Sequence, residues 1–92
     1  MEPTRRPRVK ICCIASLEEA WTAIRAGASA LGLVSAMPSG PGVITEDAIA
    51  AIARGVPPGV ASFLLTSLQD AAAIAHQHRR LGTTTVQICD RL

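Results

Sequence analysis

Apolar runs of strand length alternate with capped helical stretches along this chain, and that alternation constrains its fold more than any other feature. Residues 9–14 (Val-Lys-Ile-Cys-Cys-Ile) read as a buried strand. Ser16 follows as a helix cap, and Glu19 stands three residues on to complete a capping box. Leu17, Ala20, Trp21, Ile24 and Ala28 keep helical spacing, and Gly27 marks the stop. Residues 29–35 read as a second strand, followed by a Pro- and Gly-rich loop over 36–44. Thr45 caps a second helix, with Glu46 and Asp47 in the first turn, where the helix dipole favours acids. Ile49, Ile52 and Ala53 give its apolar face, and Pro57-Pro58-Gly59 breaks the chain. Residues 60–66 read as a third strand. Ser67 is the expected cap of a third helix, with Asp70 in the capping-box position and Leu81-Gly82 closing it. Residues 84–89 read as a fourth strand.

The order βαβαβαβ with short connections implies an α/β fold with a parallel sheet and right-handed crossovers. Ser16-Leu17-Glu18-Glu19-Ala20 is echoed by Ser67-Leu68-Gln69-Asp70-Ala71, each after an apolar strand. The echo reads either as convergence on a good N-cap or as the trace of a repeated βα unit.

Ninety-two residues hold one small domain, divided into an N-terminal arm at 1–8 and a βα domain at 9–92. Hydrophobic residues make up 49% of the chain, enough for a core. Trp21 and Phe63 are the only aromatics, so that core must be built from Ala, Val, Ile and Leu. A net charge of +2 is too weak to argue for nucleic acid. Arg5-Arg6-Pro7-Arg8 is the only basic run and reads as a solvated arm. Three cysteines, two of them vicinal, do not make a disulfide framework or a zinc pattern. Reduced thiols and a cytoplasmic location are expected, with no signal peptide, membrane span, metal or cofactor.

Period-two alternation puts Lys10 and Cys12 on one face of the first strand and Cys13 on the other, toward the helix layer. Gln87 and Cys89 share a face of the fourth strand. The C-terminal end of a parallel strand, just before the βα turn, is where barrel enzymes keep their chemistry. Cys12 therefore has two readings, a reactive group at a strand end or a small buried hydrophobe. Cys13 reads as core. A lysine inside a strand is costly unless paired or hydrated, so Lys10 is expected at an open sheet mouth or against a carboxylate. His76 and His78 stand two apart on a helix, do not share a face, and read as solvated surface. Gly40-Pro41-Gly42 lacks a phosphate-loop signature and reads as a plain turn.

Lys10-Ile11-Cys12, then residues 26–34 (Ala-Gly-Ala-Ser-Ala-Leu-Gly-Leu-Val), then Val86-Gln87, resemble the phosphoribosylanthranilate isomerase family. That family typically reads Lys-Ile-Cys-Gly, Ala-Gly-Ala-Asp-Ala-Leu-Gly-Phe-Val and Val-Gln-Leu-His-Gly. The resemblance covers residues 9–90 in the correct order and implies the N-terminal half of a TIM (β/α)₈ barrel. It implies an isomerase of tryptophan biosynthesis that carries out an Amadori rearrangement of N-(5-phosphoribosyl)anthranilate. It further implies Cys12 as general base, and Lys10, Gln87 and Cys89 as substrate-binding residues. The partner is then a small phosphorylated substrate.

The chain also departs from the pattern. Cys13 stands where the family has Gly, Ala15 where it has Thr, and Cys89 where it has His. The family's Ser-Pro-Arg is Gly40-Pro41-Gly42 here, so Gly42 takes the place of a substrate-binding arginine. A full barrel needs about 250 residues. The general acid and the phosphate loops of the family fall beyond Leu92, so the 92-residue chain alone is expected to be inactive. It is expected to associate through open sheet edges, and its interior face, with Val34 and Leu64, to be open to water. The alternative reading is a non-catalytic α/β module that binds a ligand or partner. A flavodoxin-like domain is disfavoured because no acidic cluster follows the first strand.

Overall fold

The computed structural model describes residues 8–37 and 42–89. The elements run β1 (Lys10–Ile11), α1 (Leu17–Arg25), β2 (Ala30–Val34), α2 (Glu46–Gly55), β3 (Ala61–Thr66), α3 (Ala71–Leu81) and β4 (Thr85–Ile88). The four strands form one sheet in the order β1-β2-β3-β4, parallel at every pairing. The expected βαβαβαβ order is the observed one. The basic run, apart from Arg8, and Gly40-Pro41 lie outside the described residues.

Each helix begins where a side chain satisfies its free N–H groups. Ser16 Oγ accepts from Glu19 N–H at 3.1 Å, and the Glu19 carboxylate reaches back to Ala15 N–H at 2.8 Å. Thr45 Oγ1 accepts from Ala48 N–H at 3.1 Å. The third helix corrects the sequence reading: its cap is Asp70, whose carboxylate accepts from Ala73 N–H at 2.9 Å. Ser67 instead donates to the Ala36 carbonyl, and Leu68 N–H bonds to Thr66 Oγ1. Both Ser and Asp cap well, and the turn after β3 hands the role to the later residue. The helix closes at Gly82, in the left-handed conformation at φ 78°.

Parity along the strands sorts the sheet into two faces. Leu31, Leu33 and Leu64 point to the helices and join Ile49, Ile52, Ala20, Ala28 and Leu81 in one core. Leu64 pairs with Leu33, so it lies on the helix side and not on the interior face expected for it. Val34 has the opposite parity, yet it is 2% exposed rather than open to water. Of the stripe expected on α1, Ala20 and Ala28 are buried, while Trp21 and Ile24 are half-buried and Leu17 is exposed.

The first strand differs most from expectation. It is two residues long and exposed, not a buried run of six. Cys13 adopts φ 61°, which breaks the extended backbone. Ile14 N–H still reaches the Gly32 carbonyl at 3.1 Å, so the chain returns to the sheet after the break. Among the described residues β1 has no neighbour on its outer side and is an edge strand.

Candidate functional site

Lys10 lies on the sheet face turned away from the helices, with the same parity as Ala30 and Ala61 in the register. Its ammonium sits 4.9 Å from the centre of the Phe63 ring and donates a hydrogen bond to Gln87 Oε1. Lys10 is on β1 and Gln87 on β4, opposite edges of the sheet. Three strand gaps in a flat sheet span about 14 Å. A lysine and a glutamine meet across that distance only if the sheet curls toward this face, as a barrel wall does. The aromatic ring between them offers the cation its electron-rich face. Lys10 is thus partnered by an amide and a ring, not by a carboxylate.

Cys12 follows Lys10 by two residues, at the end of β1 before the turn into α1. It is exposed, which removes the reading of a buried hydrophobe. A Cβ built on Gly32 would lie 2.9 Å from Cys12 Sγ, so Cys12 leans over the one β2 position without a side chain. Phe63 pairs with Gly32 on the next strand, which brings Lys10, Cys12, Phe63 and Gln87 onto one concave face. Cys89 follows β4, half-buried, with its thiol 3.8 Å from the Gln87 carbonyl.

Cys13 is exposed and is not the core residue expected from strand parity. Its left-handed backbone turns the side chain out of the sheet pattern. Its sulfur stands 2.6 Å from where a Cβ on Gly42 would be. Partial removal from water, then a hydrogen bond with Cys12 and repulsion from that neighbour's charge, raise the Cys13 thiol above its usual pKa. A cavity of about 450 Å³ runs between β1 and α1; its lining includes Val9, Ile11, Cys12, Cys13, Thr22 and Ala23.

His76 is exposed as expected, whereas His78 is half-buried with Nδ1 2.8 Å from Thr83 Oγ1. Among the described residues no three His, Cys, Asp or Glu side chains gather as a metal site, and no helix is long and apolar enough to cross a membrane. Sequence reasoning missed Phe63. The signal available was one of only two aromatics, placed in mid-strand.

A parallel βα sheet curled toward a face bearing polar side chains at its strand ends defines a (β/α) barrel segment. No family model matches the chain. It is 51% identical over 51 residues to the N-(5'-phosphoribosyl)anthranilate isomerase of Geobacter sulfurreducens, a stretch that is 55% of this chain and 25% of that protein. The fold is similar to the phosphoribosyl anthranilate isomerase of Thermotoga maritima, with TM-score 0.79 and 28% identity over 88% of this chain and 39% of that one. It is likewise similar to the Thermus thermophilus isomerase, with TM-score 0.79 and 32% identity over 89% of this chain and 40% of that one. Sequence and fold together support the phosphoribosylanthranilate isomerase family, and the chain spans about two fifths of these solved barrels and a quarter of the curated relative.

Proposed function

We propose that this chain supplies the first part of a phosphoribosylanthranilate isomerase barrel, acting on a small phosphorylated substrate. A solved isomerase of similar fold, TM-score 0.79 and 28% identical, holds reduced 1-(o-carboxyphenylamino)-1-deoxyribulose 5-phosphate. In this reading Cys12 is the general base. A thiolate can take a proton next to a Schiff-base carbon. Lys10 and Gln87 bind the substrate at the barrel mouth, and Cys89 lines it beside them. The observation that supports the reading is the Lys10–Gln87 bond over Phe63, which demands barrel curvature.

The reading keeps the protein in the cytoplasm, where thiols stay reduced. The remaining barrel wall, or a second copy, covers the open edge of β1. Gly42 in place of the family's arginine predicts weaker substrate binding than in the relatives. It also keeps a second reading in view, that of a binding module without turnover.

A chimera tests this directly. Residues 9–89 replace the matching segment of the Geobacter enzyme, and loss of phosphoribosylanthranilate fluorescence is followed. Turnover with a raised KM, falling at least ~10²-fold in Cys12→Ala, is expected. A folded chimera without turnover favours the binding module, and turnover that survives Cys12→Ala removes the base assignment.

A further inference from the structure

Cys13 has no part in the isomerase reading, yet the chain holds it at some cost. Its φ of 61° is a conformation that suits glycine, and a side chain there strains the backbone. Both glycines beside the pair make room for sulfur. A Cβ at Gly32 would meet Cys12 Sγ at 2.9 Å, and one at Gly42 would meet Cys13 Sγ at 2.6 Å. The two thiols are on consecutive residues and both are exposed. They also border the cavity of about 450 Å³ beside β1, whose other lining is mostly apolar, from Val9, Ile11, Ile14, Ala23 and Ala26.

We propose that Cys12 and Cys13 form a dithiol site for a soft, thiophilic centre that carries an apolar group, with trivalent aryl arsenicals as the chemical type. Two sulfurs on consecutive residues chelate one such centre, and the cavity takes its apolar substituent. The condensation balances without an oxidant. An aryl arsenic oxide meets two thiols; its arsenic–oxygen bonds and both S–H bonds break. Two As–S bonds form, and the oxygen leaves with both protons as water. Arsenic stays trivalent throughout. The second thiolate binds intramolecularly, so chelation exceeds what either thiol achieves alone. Capture in this way takes Cys12 out of use as a base.

Titration calorimetry and intact mass on the reduced 92-residue chain test the site with phenylarsine oxide, and neither readout depends on isomerase activity. One arsenical per chain is expected, released by 2,3-dimercaptopropanol but not by an equal thiol concentration of mercaptoethanol. Cys12→Ser and Cys13→Gly should each weaken binding at least ~10²-fold. Cys13→Gly suits the left-handed backbone, so its effect is not one of misfolding, and circular dichroism checks this. Cys89→Ser should bind as the parent does. A methyl arsenical should bind about tenfold or more weakly than the phenyl one, having less apolar area to bury. Full binding in Cys13→Gly, release by the monothiol, or loss in Cys89→Ser would overturn the dithiol; equal affinity for the methyl and phenyl compounds would overturn the role of the cavity.

Discussion

The two faces of the sheet are built on different terms. The helix side is saturated: Leu31, Leu33, Leu64 and Ile49 are fully buried, and Ile52 and Leu81 nearly so. The concave side buries Val34 and Leu65 but also carries Lys10, which touches both Phe63 and Gln87, and these three remain open to solvent to varying degrees. Residues adjacent in sequence, such as Phe63 and Leu64, therefore serve opposite ends. One side holds the fold; the other presents groups whose identity matters more to a ligand than to packing. This division is what a barrel wall needs, since the helix layer must be stable while the strand ends stay free for chemistry.

The largest expected effect tests that division within a single strand. Leu64→Ala leaves a cavity in a core that has little room to relax, and should cost about 2–5 kcal/mol. Phe63→Ala removes a larger side chain but from the open face, and should cost less than Leu64→Ala. Urea unfolding of both variants measures the two. A greater loss for Phe63→Ala would mean the concave face is itself a core, and the comparison would break.

A smaller effect is expected where polar groups bind the second and third helices to the sheet. Thr66 is fully buried, and its hydroxyl donates to Gln77 Oε1 at 2.8 Å. Gln77 in turn donates to Glu46 at 2.9 Å, and Arg80 closes the chain on the same carboxylate at 2.5 Å. Gln77→Ala leaves the buried Thr66 O–H without its acceptor, while the oxygen still accepts from Leu68 N–H, and should cost about 1–3 kcal/mol. The bond from Arg80, then that from Gln77, hold the Glu46 carboxyl below its usual pKa. A carboxyl lowered in the folded state stabilises above its ordinary range, and that stabilisation is lost as pH falls through the folded value. The pair is largely exposed, so the effect is modest. Thermal unfolding of wild type and Glu46→Gln should differ at neutral pH and converge in acid; a gap that persists in acid would assign the effect to shape, not charge.

Much of this was legible in the sequence because periodicity and caps are local signals. Ser16 and Thr45 cap their helices as read, and strand parity puts Lys10 and Cys12 on one face, as the structure does. What was missed depends on contacts between distant segments. The curl that brings Lys10 to Gln87 across Phe63 is a property of the whole sheet and leaves no mark on any one strand. Leu64 was misplaced because β3 is apolar at nearly every position, so only the register with Leu33 assigns its face. Cys13 was read as core because alternation assumes an extended backbone, and a left-handed residue cancels the count. The cue was present in the family pattern, where glycine stands at that position.

That residue also gives the smallest and sharpest test. If Cys13 sits in a backbone made for glycine, Cys13→Gly should raise stability, by up to about 1 kcal/mol, although it removes a side chain. The saturated face has no position where truncation would do this, so a gain here would mark the rim of β1 as strained in contrast to the core. The neighbouring Gly42 sharpens it. Gly42→Ala must push a methyl toward a sulfur already 2.6 Å from that point, and it also meets a φ of +86°. Removing the sulfur relieves the first penalty and leaves the second. In a double-mutant cycle measured by urea unfolding, Gly42→Ala should therefore cost less in the Cys13→Gly background, with a coupling of about 0.5–3 kcal/mol. Equal costs in both backgrounds would show that the sulfur does not fill the space over residue 42, and the match between these two departures from the family pattern would then be coincidence.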